Sequence, residues 1–136
     1  LLVSSAASDV YKRQMHVCDF HKSWVEQGLI KPQDFNFNLL QHPTWQRMDI
    51  LPPEHKDRVK AKYEEHFKWL KNNDPLTRAT KGFESAIDWM YKKDNQKHLG
   101  LFFANTRKYD KIRNENSVEV FPEWKELFEK YETQAT

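Results

Sequence analysis

Cysteine, glycine and long apolar runs are scarce in this sequence of 136 residues, and each shortage excludes a class of protein. The single cysteine, Cys18, excludes an internal disulfide framework and any metal site made only of cysteines. It also favours a reducing, cytoplasmic setting. No apolar run is long enough to cross a bilayer. Because only three glycines are present, we expect a helix-rich protein rather than an all-β or disordered one.

The charge of the chain is nearly balanced. It has 22 basic and 20 acidic residues, a formal net charge of +2, and the basic residues are spread over the whole sequence. Such a balance requires neither nucleic acid nor an anionic membrane surface as a partner. The chain is 38% hydrophobic and 14% aromatic, which is enough for one hydrophobic core in one domain.

The first fourteen residues differ in character from the rest. The string SSAASDVYKRQ resembles a translated sequencing adapter, of the kind found in open reading frames from metagenomic reads. It lacks the basic start and apolar stretch of a secretory signal. We therefore treat residues 1–14 as a non-native leader, exclude them from fold and function, and expect Met15 to be an internal residue of a longer protein.

Apolar residues at spacings of three and four predict helices over most of the remaining chain. We expect helices over residues 15–27, about 53–71, 75–92 and 96–114, and a short one from Pro122. Gly28 and Pro52–Pro53 supply a helix stop and a helix start, and Asp74 is a candidate N-cap. Residues 117–121 are expected to be extended. The predicted apolar stripes include Val17, Phe20 and Trp24 in the first helix and Val59, Tyr63, Phe67 and Leu70 in the second. They include Leu76, Ala79, Phe83, Ile87 and Met90, with Ala86 in support, in the third, and Leu99, Phe102, Phe103, Tyr109 and Ile112 in the fourth.

One stretch, residues 33–43, has the pattern of a β-strand. Phe35, Phe37 and Leu39 alternate with Asn36, Asn38 and Leu40, a period of two that separates apolar from amide side chains. The amides would face either the interior of a parallel barrel that holds a ligand or, in an edge strand, water. The sequence offers no second strand to pair with it.

Motifs for metal binding or catalysis are weak. Cys18-x-x-His21 is at most half of a zinc site, and Glu64-Glu65-His66 lacks the second histidine of a zincin motif. Asp57 and Glu64 lie among lysines on a predicted solvated helix face, which is the pattern of a charged helix surface rather than of an acid–base pair. We predict no catalytic residue and no metal ligand within this chain.

Two runs of residues resemble a known family. The first is Asn36-x-Asn38-Leu39-x-x-His42-Pro43, followed by Leu51-Pro52-x-x-x-Lys56. The second is Asn105-Thr106-x-x-Tyr109-Asp110-x-x-Arg113-Asn114-Glu115, followed by Val120-Phe121-Pro122-Glu123. Both are similar to the end of the catalytic barrel and the tail of radical SAM proteins that carry a twitch domain, over about residues 15–127.

The resemblance implies an enzyme that uses an iron–sulfur cluster to reduce S-adenosylmethionine and form a 5′-deoxyadenosyl radical, which takes hydrogen from a substrate that the sequence does not identify. The cluster would need a Cys-x-x-x-Cys-x-x-Cys motif, and Cys18 alone cannot supply it. This fragment would therefore bind neither cofactor alone and be inactive without the missing N-terminal part of the barrel. Asn36, Asn38, Gln41 and His42 are the predicted cofactor- or substrate-facing residues.

The predicted fold is mainly α with one orphan β-strand: the C-terminal fragment of a partial (β/α) barrel plus a helical extension. Residues 15–51 would form the end of the barrel, as helix, strand and loop, and residues 52–136 the extension. The alternative is a small, self-contained helical interaction domain without catalytic activity. If the fragment hypothesis holds, the face of the first helix that carries Val17, Phe20 and Trp24 should be exposed.

Overall fold

A computed structural model of the chain describes residues 12–134 and the side chains of residues 14–134. These residues form six α-helices joined by short loops and 3₁₀ turns. The helices are α1 Lys12–Glu26, α2 Pro53–Asn73, α3 Arg78–Lys92, α4 Leu99–Arg113, α5 Ser117–Val120 and α6 Pro122–Tyr131. The 3₁₀ turns are Pro32–Asp34, Thr44–Gln46, Met48–Ile50 and Gln96–His98. The mainly α prediction is confirmed. Within the described residues, no helix is long and apolar enough to cross a membrane.

The predicted β-strand is wrong, because residues 12–134 contain no strand. Residues 35–41 are extended without a ladder partner, and their side chains still alternate: Phe35 and Phe37 are half-buried, while Asn36 and Asn38 are exposed. The two phenylalanines pack on helices instead of on a neighbouring strand. The ring of Phe35 stacks on that of Phe83 with centroids 5.2 Å apart. A period of two therefore arises here from packing on helices rather than from a sheet.

The chain divides into two compact units. The first, which we call the α1–α3 unit, comprises residues 14–39 and 52–93. Its core is aromatic: the Phe83 ring lies 5.1 Å from Tyr63 and 5.3 Å from Phe37 between centroids. Its buried apolar residues on α2 and α3 are Val59, Tyr63, Leu70, Ala79, Phe83, Ala86 and Met90. They match most of the predicted stripes of these two helices, but Phe67 and Ile87 are only half-buried and Leu76 is exposed, so the prediction was wrong at these three positions.

The second unit, the α4–α6 unit, consists mainly of residues 40–51 and 94–134. Its core contains Phe102, Phe103, Trp124, Leu127 and Phe128. The predicted stripe of α4 is right in its first half and wrong in its second, where Tyr109 and Ile112 are exposed. Thr106 and Asp110 are buried instead, and Asp110 accepts a hydrogen bond from Ser117 after the chain turns at Asn114.

Polar side chains mark the helix ends. The Asp74 carboxylate accepts hydrogen bonds from the backbone N–H and the hydroxyl of Thr80, at 2.8 and 2.7 Å, so it caps α3 from outside the helix. The helix begins at Arg78, one turn later than predicted. The residues expected to be extended, 117–121, instead include α5, because Asp110 accepts from the backbone N–H and hydroxyl of Ser117 and closes that turn.

α1 begins before Met15 and ends as predicted. Lys12–Gln14, assigned to the leader, form its first residues, and the Tyr63 hydroxyl donates a 2.7 Å hydrogen bond to the Gln14 side chain. Gln14 therefore contributes a contact to the α1–α3 unit, and the assignment of residues 1–14 to a non-native leader stays a prediction; residues 1–11 lie outside the described part. At the other end Gly28 has a φ of 74°, the left-handed conformation of a helix C-terminus.

Candidate functional site

The outward face of α1 carries two large aromatic side chains. Phe20 is 62% exposed and Trp24 is 49% exposed, and their rings meet edge to face with centroids 6.4 Å apart. They lie four residues apart and so share one side of the helix. Val17, the third residue of the predicted stripe, is half-buried. The expected exposure of this face is thus confirmed for Phe20 and Trp24.

The opposite face of α1 is buried although it is polar. Cys18 and His21 are 3% and 1% exposed, and with Gln14 and Val25 they recur at intervals of four, three and four residues. Residues at these spacings lie on the same face of a helix. α1 therefore directs a thiol and an imidazole inward and leaves its largest apolar groups outside.

The four predicted cofactor-facing residues are all exposed. Asn36 and Asn38 lie on the outer side of the extended segment in the α1–α3 unit, and Gln41 and His42 belong to the α4–α6 unit. The structure places the two asparagines on one side of one segment. Their role in binding a cofactor or substrate stays a prediction.

A buried histidine pair joins three segments of the α1–α3 unit. His21 Nδ1 of α1 lies 3.0 Å from His66 Nε2 of α2, and His21 Nε2 lies 3.0 Å from the carbonyl oxygen of Pro32. His66 is buried like His21. Aromatic rings surround both imidazoles: Phe35 and Phe83 lie 4.7 and 5.9 Å from His21, and Trp69 stacks on His66 at 5.2 Å, between centroids.

The Pro32 carbonyl fixes the tautomers of the pair. A carbonyl oxygen only accepts hydrogen bonds, so His21 Nε2 carries a proton and donates it. In neutral His21 the other nitrogen, Nδ1, is then an acceptor, and His66 Nε2 must be its donor. The hydrogen bonds thus run from His66 through His21 to the backbone, and every position along them is determined.

Burial keeps both histidines neutral. It lowers the pKa of His21, against a smaller opposing effect of the Pro32 hydrogen bond, and it lowers the pKa of His66 to about 4, with His21 adding to the effect. Burial also raises the pKa of the Cys18 thiol to about 12. Cys18 is therefore a protonated, packed thiol rather than a nucleophile.

A cavity of about 200 Å³ opens beside His66. Its lining consists of Cys18, Asp19, Lys22, Lys62, Glu65, His66, Lys68 and Trp69. The charges in the lining are largely paired: Lys62 lies 3.1 Å from Asp19 and Lys68 lies 2.8 Å from Glu65. The cavity is therefore close to neutral and gives water a path to the histidine pair.

The described residues do not fit an iron–sulfur cluster. Within residues 14–134 no group of three or more His, Cys, Asp or Glu side chains could hold a metal ion. The one thiol of the chain, Cys18, is buried, and its sulfur lies 4.0 Å from the carbonyl oxygen of Lys62. A cluster needs several thiolates, so no step of radical chemistry is derived from these residues.

No known protein family, curated protein or solved structure matches this chain. The function must therefore be argued from the sequence and from the geometry of the two sides of α1.

Sequence analysis did not identify the histidine pair. In the sequence, Cys18-x-x-His21 and Glu64-Glu65-His66 indicate at most fragments of metal motifs, and Val17, Phe20 and Trp24 indicate the apolar side of the first helix. One signal was available: His66 falls in the buried stripe of α2, between Tyr63 and Leu70. A histidine at a core position of one helix predicts a polar partner on a neighbouring element.

Proposed function

We propose that this chain is the helical C-terminal region of a twitch-domain radical SAM protein, in which it packs against the catalytic barrel and performs no cluster chemistry itself. The observation that carries the proposal is the outward face of α1, where Phe20 and Trp24 are exposed. The resemblance of residues 36–43 and 105–123 to the radical SAM family supplies the identity of the partner.

Exposed aromatic residues of this size suit a docking face. Burying a Phe or Trp side chain stabilises an interface by about 1.5–3 kcal/mol, and tryptophan is enriched among the residues that dominate binding energy. The Phe20 and Trp24 rings already contact each other in the edge-to-face arrangement that aromatic pairs prefer. A barrel helix or loop packed here would cover both rings at once.

The extended segment supports the same proposal. Phe35 and Phe37 anchor it to α3, whereas Asn36 and Asn38 direct their amides outward. Amides that are anchored from behind can donate and accept hydrogen bonds to S-adenosylmethionine or substrate held by the barrel. Gln41 and His42, also exposed, would serve the same role.

The first test is the coding sequence on the 5′ side of the Met15 codon. We expect an open frame that continues upstream and encodes a Cys-x-x-x-Cys-x-x-Cys motif, since a cluster needs thiolates that this chain lacks. A stop codon and a ribosome-binding site directly before Met15 would contradict the proposal.

The second test uses the longer protein from that frame, purified without oxygen. Phe20→Ser/Trp24→Ser is compared with Ile112→Ser, a matched change at an exposed apolar residue of α4. We expect the first variant alone to raise protease cleavage in α1, with the visible absorbance of the cluster unchanged. Equal cleavage in wild type and both variants would show that the α1 face does not dock.

A second candidate function is a self-contained helical interaction domain without catalytic activity. It is favoured by the absence of any strand in residues 12–134 and by the separate aromatic cores of the two units. It predicts the opposite genomic result, a gene that starts at Met15. The coding sequence upstream therefore separates the two candidates.

A further inference from the structure

The His21–His66 pair fastens three segments that are separate in sequence. His21 belongs to α1, His66 to α2, and Pro32 begins the 3₁₀ turn that follows α1. The two hydrogen bonds of 3.0 Å are made by one side chain, His21, which is 1% exposed. Loss of the His21–His66 bond would weaken the attachment of α1 and the turn to α2, leaving the Tyr63–Gln14 bond and the Lys62–Asp19 ion pair between the two helices.

Adding a proton to either ring of the pair is unfavourable in the folded unit. One proton added to His66 Nδ1 keeps the bond to His21 but creates a charge beside the rings of Trp69 and Phe83. A second proton, on His21 Nδ1, sets two N–H groups against each other at a distance that is suited to a hydrogen bond. The first step is unfavourable by desolvation, and the second breaks the connection.

The charges that face the pair do not compensate an added proton. Asp19 of α1 and Asp74, which follows α2, favour a charged histidine, whereas Lys22 of α1 and Lys62 of α2 oppose it. Asp19 is paired with Lys62, and Asp74 caps α3 through Thr80. The remaining neighbours are the neutral Cys18 thiol and the ion-paired Glu65 and Lys68 of the cavity.

We propose that the His21–His66 pair is a pH-sensitive latch, which holds α1 and the Pro32 turn on α2 when both rings are neutral and releases α1 when acid protonates them. The cavity beside His66 gives protons access without prior unfolding. Because α1 carries the Phe20 and Trp24 rings, the latch sets whether this aromatic face has a fixed position. The proposal concerns the chain alone and does not depend on a radical SAM partner.

The direction of the pH dependence follows from linkage. The pKa of each histidine is lower in the folded unit than its ordinary value of 6.5, so the released state binds more protons. The stabilisation is complete above pH 6.5 and is lost as the pH falls towards about 4, the value for His66. For His66 alone, the release equilibrium should increase on the order of 20-fold between pH 7 and pH 5.

Amide hydrogen exchange of the whole chain tests the latch. Exchange is measured at pH 7 and pH 5 in EDTA, so that no metal ion competes with protons, and is corrected for intrinsic rates. We expect the protection of α1 relative to α4 to fall on the order of 20-fold in the wild type. In His21→Leu/His66→Leu, which cannot be protonated at the pair, this fall should disappear.

Two further variants keep the test decisive. His66→Gln retains an N–H donor towards His21 and removes one titrating group, so it should reduce the fall even if the leucine pair folds poorly. His42→Gln changes an exposed histidine of the other unit and should leave the fall unchanged. The other buried histidine of the α1–α3 unit, His55, is present in every variant, so the differences report the pair alone.

Nitrogen chemical shifts of the histidines give an independent readout. At pH 7 we expect both His21 and His66 to be neutral with the proton on Nε2, as the Pro32 carbonyl requires. A charged or Nδ1-protonated His21 at pH 7 would overturn the proposal. So would unchanged α1 protection between pH 7 and pH 5 in the wild type, or an equal fall in the wild type and His66→Gln.

Discussion

α1 and α3 belong to the same unit and are both 15 residues long, but they bury different kinds of side chain. α3 buries Phe83 and Met90 and exposes charged residues, as an amphipathic helix does. α1 buries Cys18 and His21, and its two large aromatic residues remain outside. α3 is thus held by apolar packing, whereas α1 depends on a few hydrogen bonds.

This difference separates two uses of an apolar stripe. On α3 the apolar side chains pack in the core of the unit, where Phe83 contacts Tyr63, Phe35 and Phe37. On α1 Phe20 and Trp24 stay exposed, and hydrogen bonds of Gln14 and His21 connect the helix to its neighbours instead. A hydrogen bond made by a histidine can be broken by protonation. An apolar contact does not respond to pH in this way.

The strongest test of the contrast is truncation of the central ring of α3. Phe83→Ala should lower the free energy of unfolding by about 3–5 kcal/mol, since it removes a fully buried ring that several aromatic residues contact. Urea denaturation followed by circular dichroism measures the change. Phe20→Ala, which truncates an exposed ring on α1, is the matched control and should change it by less than about 0.5 kcal/mol. Equal losses of unfolding free energy in Phe83→Ala and Phe20→Ala would contradict the difference between α3 and α1.

The helices and their ends could be predicted from the sequence because their causes are local. Pro52–Pro53 starts α2, Gly28 ends α1, and the spacing of three and four marks the cores of α2 and α3. The α5 turn was missed because its cause is Asp110, a side chain seven residues before Ser117. A contact of that kind has no signature in the local pattern.

The side of α1 that faces the core could be predicted only in part. An isolated stripe predicts an apolar interior, and only the family resemblance suggested that this stripe would be exposed. The burial of His21 depends on His66, 45 residues away, and on the Pro32 carbonyl, so it requires the tertiary structure. Likewise, the sequence shows the alternation of residues 35–40. It does not show whether Phe35 packs beside a strand or a helix, because that depends on residues far away in the chain.

A second test removes the hydrogen bonds that His21 makes to His66 and Pro32. His21→Leu should cost about 2–4 kcal/mol at pH 7, because it leaves the Pro32 carbonyl and the His66 N–H buried without a partner. Adding His66→Leu should restore part of the loss, since removing both members of a buried polar pair is far less costly than removing one. Urea unfolding of the single and double variants gives the coupling. Additive losses would show that the two rings do not act together.

A third test concerns the start of α1. Tyr63→Phe removes the hydroxyl that donates to Gln14, and the expected cost is about 0.5–1.5 kcal/mol, the usual value of one hydrogen bond. Gln14→Ala should cost about the same, and the double variant should cost no more than either single one if both changes remove this bond. Fully additive losses would instead mean that Gln14 does not take part in the folded unit.

The smallest expected effect is on the outer face of α1. Phe20→Ser/Trp24→Ser should change the free energy of unfolding of the chain by less than about 0.5 kcal/mol per residue, because Phe20 is 62% and Trp24 49% exposed in the folded chain. Urea denaturation at pH 7 checks this, with Phe83→Ala as the positive control. A loss above about 2 kcal/mol would mean that these rings support the fold of the chain, and the docking proposal would then lose its basis. An unchanged free energy of unfolding, together with raised protease cleavage of α1 in the longer protein, would mean that the rings contribute only when a partner covers them. This property distinguishes an interface from a core.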